Sequence, residues 1–75
     1  MTLPLLLAPV AIVTTTVGTQ AQAQQLAQDA IHSNLAACAQ LEAITSHYQW
    51  QGRLEHSAEW RVVFKTVPDA VQALW

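Results

Sequence analysis

Two strand-forming segments that flank Gln51-Gly52 constrain the fold of this chain more than any other feature. Residues 37–50 are predicted to form one long strand with a bend near Glu42-Ala43, and residues 53–66 are predicted to return antiparallel to it. Glycine adopts positive φ without a steric penalty, so Gln51-Gly52 supplies the chemistry of a tight turn. The sequence therefore predicts a long β-hairpin at the centre of the fold.

The side chains of the returning strand alternate between two different surfaces. One surface is apolar and comprises Trp60, Val62 and Phe64. The other surface carries most of the charge and comprises Glu59, Arg61, Val63 and Lys65. This period of two residues is typical of a strand within a sheet.

The residues before the hairpin predict a strand followed by a helix. The β-branched run from Val10 to Thr16 is nearly continuous in apolar character, which is typical of a strand covered on both faces. Thr19 is predicted as a helix N-cap that forms a capping box with Gln22, and Asn34 marks the predicted helix end. Apolar residues recur between them at the spacing of one buried helix face, at Ala23, Leu26, Ala27, Ala30 and Ile31.

After the hairpin, Pro68 and Asp69 open a second helix, because proline is tolerated in a first turn and aspartate there complements the helix dipole. One further strand would complete the order βαββαβ. The predicted fold class is therefore α+β, a ferredoxin-like βαββαβ sandwich in a single domain, residues 1–75, that stops after the start of the second helix. The final strand of that fold pairs beside the first, so without it one edge of the first strand would stay open.

The composition limits the classes of function that the chain can have. Only 11% of the residues are charged, against about 25% in ordinary globular chains, which predicts that part of the surface is buried in an oligomer. The net charge of -2, with three basic residues, argues against a nucleic-acid partner. Cys38 is the single cysteine, so no intrachain disulfide can form, and this fits a reducing compartment.

The uncharged stretch from Met1 to Val17 has two interpretations. Ala21-Gln22-Ala23 resembles a signal-peptidase site, which would make the stretch part of a secretory signal and the product a secreted fragment without a metal role. A secretory signal opens with a positively charged region, however, and its absence here favours a strand. Pro4 and Pro9 interrupt the apolar run, which is also too short to cross a membrane, so no membrane partner is predicted.

Four groups of residues, in order along the chain, carry a resemblance to a known family. They are Leu35-Ala36-Ala37-Cys38, the Ser46-x-Tyr48-x-Trp50-x-Gly52 pattern, Arg53 with Glu55, and Glu59 with Lys65-Thr66. In this combination the chain resembles the CutA family of divalent-cation tolerance proteins from about Val10 to Leu74. It departs from the family at about Thr15, where some members carry a second cysteine, and it contains no His-Pro-Tyr motif.

The resemblance implies a non-enzymatic, cytoplasmic homotrimer with sheet contacts between subunits. It also implies a role in the response to metal ions, as tolerance to copper and other divalent cations. CutA trimers are similar to the PII signalling proteins in fold and assembly, so a trimeric small-ligand sensor stays open as an alternative. No defined enzymatic reaction comes with the family, and the sequence has no nucleophile–base pair and no glycine-rich phosphate loop.

Cys38 is the candidate metal ligand, because a thiolate suits soft ions such as Cu(I). The alternative is a small packing residue, since alanines flank Cys38 and no basic residue lies near it to activate the thiol. The three histidines show none of the spacings of a zinc site. His32 is predicted to be a solvated helix position, and His47 and His56 to be a chance surface pair that meets across the hairpin.

Tyr48, Trp50, Glu59 and Lys65 are the candidate residues of a pocket or a subunit interface. Aromatic side chains dominate the contact area of protein cores and interfaces, and they also line ligand pockets. The charged residues have a simpler interpretation as cross-strand pairs worth only about 0.2–1 kcal/mol each. The sequence leaves these alternatives open.

Overall fold

The computed structural model describes residues 9–74, which form a three-stranded sheet with helices packed on one side of it. Its main elements are β1 at Ala11–Val17, α1 at Gln20–His32, β2 at Cys38–Trp50 and β3 at Arg53–Thr66. A 3-10 turn at Pro68–Ala70 leads into the short helix α2 at Val71–Leu74. The predicted order of strand, helix, strand, strand and helix is confirmed.

The sheet has the strand order β1-β3-β2, with β3 in the centre. Both neighbours run antiparallel to β3, so β1 and β2 are parallel to each other and α1 connects them across the sheet. This is a truncated ferredoxin-like arrangement, as the sequence predicted. Within residues 9–74, β1 pairs only with β3, so the other side of β1 is a sheet edge.

The hairpin of β2 and β3 keeps one regular register along its whole length, from the Cys38–Lys65 pair to the Trp50–Arg53 pair. The ladder passes through residues 42 and 43 without an extra residue on either strand, so the predicted bend does not interrupt β2. At the turn, Gln51 and Gly52 have φ values of 52° and 76°. Positive φ at both central residues defines the type I′ turn that matches the twist of a hairpin.

Both ends of α1 follow the sequence prediction. The Thr19 hydroxyl accepts a hydrogen bond from the Gln22 backbone N–H at 3.1 Å, and the Gln22 side chain accepts one from the Thr19 N–H at 3.2 Å. At the other end Asn34 has a φ of 58°, and the Leu35 N–H donates to the Ala30 carbonyl at 2.9 Å. These bonds satisfy backbone groups that the helix itself leaves free.

The core lies between α1 and the sheet, and its buried members are Ala23, Ala30, Ala36, Val62 and Phe64. Alanines on the inner side of α1 let the helix approach the strands closely. The buried Thr66 hydroxyl donates a hydrogen bond to the Leu35 carbonyl and so ties the end of β3 to the entrance of β2. Leu26 and Ile31, predicted as part of the buried face, lie at its margin and remain partly exposed.

The first strand differs from its prediction in burial. Helices cover one of its faces only, and Ile12 on the other face is 63% exposed in the described structure. The prediction of a strand covered on both faces is therefore wrong for residues 9–74, because a β-branched run fixes strand character and not the number of covering layers.

The stretch that a secretory signal would remove contributes to this fold. β1 pairs with β3, and Ala23, at the proposed cleavage site, is fully buried. Residues 1–8 of the same stretch lie outside the described part of the chain. None of the helices within residues 9–74 has the length and apolar character needed to cross a membrane.

Candidate functional site

The sheet has two unlike faces, and all the candidate residues lie on one of them. The helix-covered face contains Val62 and Phe64. The opposite surface, here called the outer face, has no helix of residues 9–74 packed on it. The register and the alternation of side chains bring five candidates to the outer face: Cys38, Tyr48, Trp50, Glu59 and Lys65.

Cys38 lies at the start of β2, half-buried and directly opposite Lys65 of β3. Ile12 of β1 is the next residue in the same row across the sheet. The expectation that no basic residue lies near Cys38 is therefore wrong, because the strand register brings together residues that are far apart in sequence. The half-buried thiol also fits neither a fully buried packing residue nor a freely solvated one.

The donors around Cys38 do not make a complete metal site within one chain. Among residues 9–74, no group of three or more histidine, cysteine, aspartate or glutamate side chains is placed to hold an ion. Protein zinc sites use three or four protein ligands. A metal bound at Cys38 would thus need donors from outside these residues.

The outer face also concentrates the charge of the sheet. All three basic residues of the chain lie on it together with three glutamates, namely Arg53, Arg61, Lys65, Glu42, Glu55 and Glu59. The Arg61 guanidinium and the Glu42 carboxylate approach to 3.8 Å. Both side chains are about half exposed, so this pair adds little stability in water.

The hairpin divides into two regions along its length. Its base, residues 38–43 with 60–66, lies under α1. Its tip, residues 44–59, extends beyond the helices. Tyr48 and Trp50 lie in the tip and are 46% and 63% exposed. The aromatic candidates are therefore available to a partner on the outer face.

Two concavities lie elsewhere on the molecule. One of about 330 Å³ is lined by Val13, Thr14, Thr15, Leu26, Phe64 and Leu74. Another of about 250 Å³ is lined by Asn34, Ala36, Ala37, Thr66 and Val67. Neither includes any of the five candidates, so these two concavities give no support to the pocket interpretation.

The three histidines are placed as the sequence predicted. His32 is exposed at the end of α1. His47 and His56 are direct cross-strand partners in the tip, on the face opposite Tyr48, and their ring centroids are 5.7 Å apart. The sequence predicts this approach but indicates no function for it, because alternation and register say nothing about ring distance.

Most of the chain matches a known protein family. Residues 11–75 match the family model described as CutA1 divalent ion tolerance protein. The chain belongs to the CutA1 family. The resemblance carried by the motifs around Cys38, Tyr48 and Lys65 is thereby confirmed.

Two curated relatives are similar over most of this CutA1-family chain. The divalent-cation tolerance proteins CutA of Yersinia pestis (strain Pestoides F) and Yersinia pseudotuberculosis serotype O:3 (strain YPIII) are each 41% identical to it over 64 residues. The match covers 84% of this chain and 54% of each relative. The chain thus spans about half the length of the curated relatives it matches.

Solved CutA structures have the same fold. CutA from Synechococcus elongatus PCC7942 superimposes with a TM-score of 0.84 at 42% identity, covering 89% of this chain and 60% of that one. CutA1 from Oryza sativa gives a TM-score of 0.82 at 32% identity, covering 89% and 62%. The ferredoxin-like arrangement of the described elements is therefore that of CutA proteins.

Proposed function

We propose that this chain acts in tolerance to divalent cations, with copper among its ions, as a single CutA-type domain that carries out no enzymatic reaction. Membership of the CutA1 family supports the link to divalent cations. The observation that carries the rest of the proposal is the outer face, where Cys38 and four further candidates lie on a surface that no helix of residues 9–74 covers.

The assembly that we propose is a cytoplasmic homotrimer built through the outer face. Ile12 in the base and Tyr48 and Trp50 in the tip are exposed there, and apolar side chains exposed along one face of a sheet are typical of an interface. Glu59 and Lys65 on the same face would pair with charges of neighbouring subunits, which favours one register of association. The lone cysteine, without a disulfide partner, supports a reducing compartment.

Sedimentation of the natural full-length protein tests this assembly. We expect a mass of three chains, and we expect Trp50→Ala to shift the protein toward monomers. Leu54→Ala is the matched control, because Leu54 is also exposed in the tip but lies on the face opposite Trp50. A monomeric parent protein, or equal effects of the two substitutions, would contradict the proposed interface.

Cys38 is the proposed metal ligand of the outer face. A thiolate prefers Cu(I) to hard ions such as Mg²⁺ or Ca²⁺. One sulfur cannot hold the ion alone, so the other donors would come from a second subunit or from residues outside 9–74. The position of Cys38 on the proposed interface supports the first source.

A Cu(I) competition assay with reduced protein tests the role of Cys38. Cys38→Ser replaces a soft donor by a hard one of similar size, so we expect weaker Cu(I) binding and an unchanged far-UV circular dichroism spectrum. His32→Gln, which changes an exposed donor on α1, is the control and should bind as the parent does. If Cys38→Ser binds Cu(I) as tightly as the parent, Cys38 is a packing residue. Binding of a nucleotide or metabolite without metal would favour the PII-like sensor instead.

A further inference from the structure

The pair of histidines in the tip has a geometry that the proposed function does not use. His47 and His56 face each other directly across the hairpin, with ring centroids 5.7 Å apart and ring planes inclined by 39°. Both side chains are exposed. They lie on the opposite face of the sheet from Cys38, so they form a separate feature of the molecule.

The turn explains why the two rings come so close. A two-residue type I′ turn is closed by a hydrogen-bonded pair, here Trp50 and Arg53, and hydrogen-bonded and non-hydrogen-bonded pairs alternate from there. His47 and His56 are the third pair beyond the closing one and therefore occupy a non-hydrogen-bonded position. Side chains at such positions approach most closely, with Cα atoms about 4.5 Å apart.

The ring separation is close to that required by a shared metal ion. Two imidazoles bound to one tetrahedral Zn²⁺ at about 2.0–2.1 Å would place their centroids about 5 Å apart. Small rotations of two exposed side chains close the difference from the observed 5.7 Å. We propose that His47 and His56 form a two-histidine chelating site for a divalent transition-metal ion such as Zn²⁺, Ni²⁺ or Cu²⁺, with fewer protein ligands than structural or catalytic zinc sites have and with water in the remaining positions.

The surroundings of the pair fit this role. The neighbouring positions on the same face carry no charged residue; they are Thr45, Gln49, Leu54 and Ala58. No carboxylate at these neighbouring positions therefore pairs with the imidazoles in place of a metal. Imidazole suits zinc, copper and nickel, whereas Mg²⁺ and Ca²⁺ require oxygen donors, so the site distinguishes these classes of ion.

The histidine pair and Cys38 can be tested independently. An extended strand covers roughly 30 Å between residues 38 and 47, and the two positions point to opposite faces. The histidine pair adds divalent transition-metal ions to the Cu(I) proposed for Cys38. Its geometry does not depend on the proposed role in cation tolerance. Failure of one site therefore leaves the other unaffected.

Calorimetric titration of the reduced, full-length protein with Zn²⁺ and with Ni²⁺ tests the proposal. We expect one ion per chain, and we expect His47→Gln and His56→Gln each to weaken binding by about tenfold or more, because the second imidazole is held at high effective concentration by the hairpin. Each ion should also raise the unfolding midpoint of the parent protein, since it binds the folded hairpin, while Mg²⁺ should not.

A matched control separates this site from other histidines. His32→Gln removes one exposed histidine elsewhere and should retain parent affinity for Ni²⁺ in protein whose fold is verified by circular dichroism. Unchanged binding in His47→Gln and His56→Gln would overturn the proposal and leave the rings as a tilted, non-chelating pair. One ion per two chains with metal-dependent association would also overturn it.

Discussion

The base and the tip of the hairpin have the same strands and the same regular register but different environments. In the base, Val62 is fully buried and Phe64 is 3% exposed. In the tip, Leu54 is 75% exposed although it lies on the same face of β3. The difference therefore arises from what covers the hairpin and not from its own pairing.

Element lengths explain this difference. α1 and β2 each contain 13 residues. A helix rises about 1.5 Å per residue and a strand about 3.3 Å, so α1 is roughly 20 Å long and β2 roughly 43 Å. One helix can cover about half of such a hairpin. The covered half stabilises the fold, and the uncovered half leaves the aromatic candidates and the histidine pair exposed.

The largest effect on stability is expected from a substitution in the base of the hairpin. Phe64→Ala removes a buried ring from the core, so it should lower the free energy of unfolding by about 3–5 kcal/mol. Urea denaturation of the full-length protein measures this change. Phe64→Leu keeps most of the side-chain volume and should cost less than about 1.5 kcal/mol. This variant should stay folded and can be measured if the alanine variant is too unstable.

Leu54→Ala is the corresponding substitution in the tip. It should change the free energy of unfolding by less than about 0.5 kcal/mol, because an exposed side chain loses little contact. A cost similar to that of Phe64→Ala would mean that the helix-side surface of the tip is covered in the assembled protein. The distinction between base and tip would then hold for the isolated chain only.

An intermediate effect is expected at the turn that closes the tip. Gly52 has a φ of 76°, and an added Cβ would meet no atom within 4 Å. Gly52→Ala should therefore lower the free energy of unfolding by about 1–2 kcal/mol through backbone strain alone. Thermal unfolding monitored by circular dichroism can detect the change.

Gly18→Ala is the control for this substitution. The added Cβ at Gly18 would meet only the Gln22 side chain at 3.6 Å, which is an ordinary contact. We expect it to leave stability unchanged or to raise it slightly, since alanine restricts the unfolded chain. Equal destabilisation by both substitutions would argue against strain at the turn.

A small, salt-dependent effect is expected at the ion pair on the outer face of the base. Glu42→Gln removes the charge that faces Arg61 at 3.8 Å and should cost less than about 1 kcal/mol. The cost should disappear at about 1 M salt, where exposed charges are screened. Glu55→Gln, opposite Tyr48 in the tip, serves as the control. A cost that persists at high salt would place the pair inside an interface.

Structural features that depend only on neighbouring residues could be predicted from the sequence alone. Thr19 and Gln22 form the predicted capping box, and Gln51 and Gly52 form the predicted turn. Once that turn is set, its two-residue length fixes the register, and the register fixes which residues share a face. This is why the grouping of the hairpin residues on two faces could be predicted from the sequence.

The covered face of the sheet and the distances between facing side chains follow from the tertiary structure. Lys65 lies opposite Cys38, contrary to the expectation from sequence neighbours, and the ring centroids of His47 and His56 lie 5.7 Å apart. The Thr66 hydroxyl reaches the Leu35 carbonyl in the same way. These juxtapositions depend on strand pairing and helix packing between residues far apart in the chain, and local residue patterns do not specify side-chain distances across such contacts.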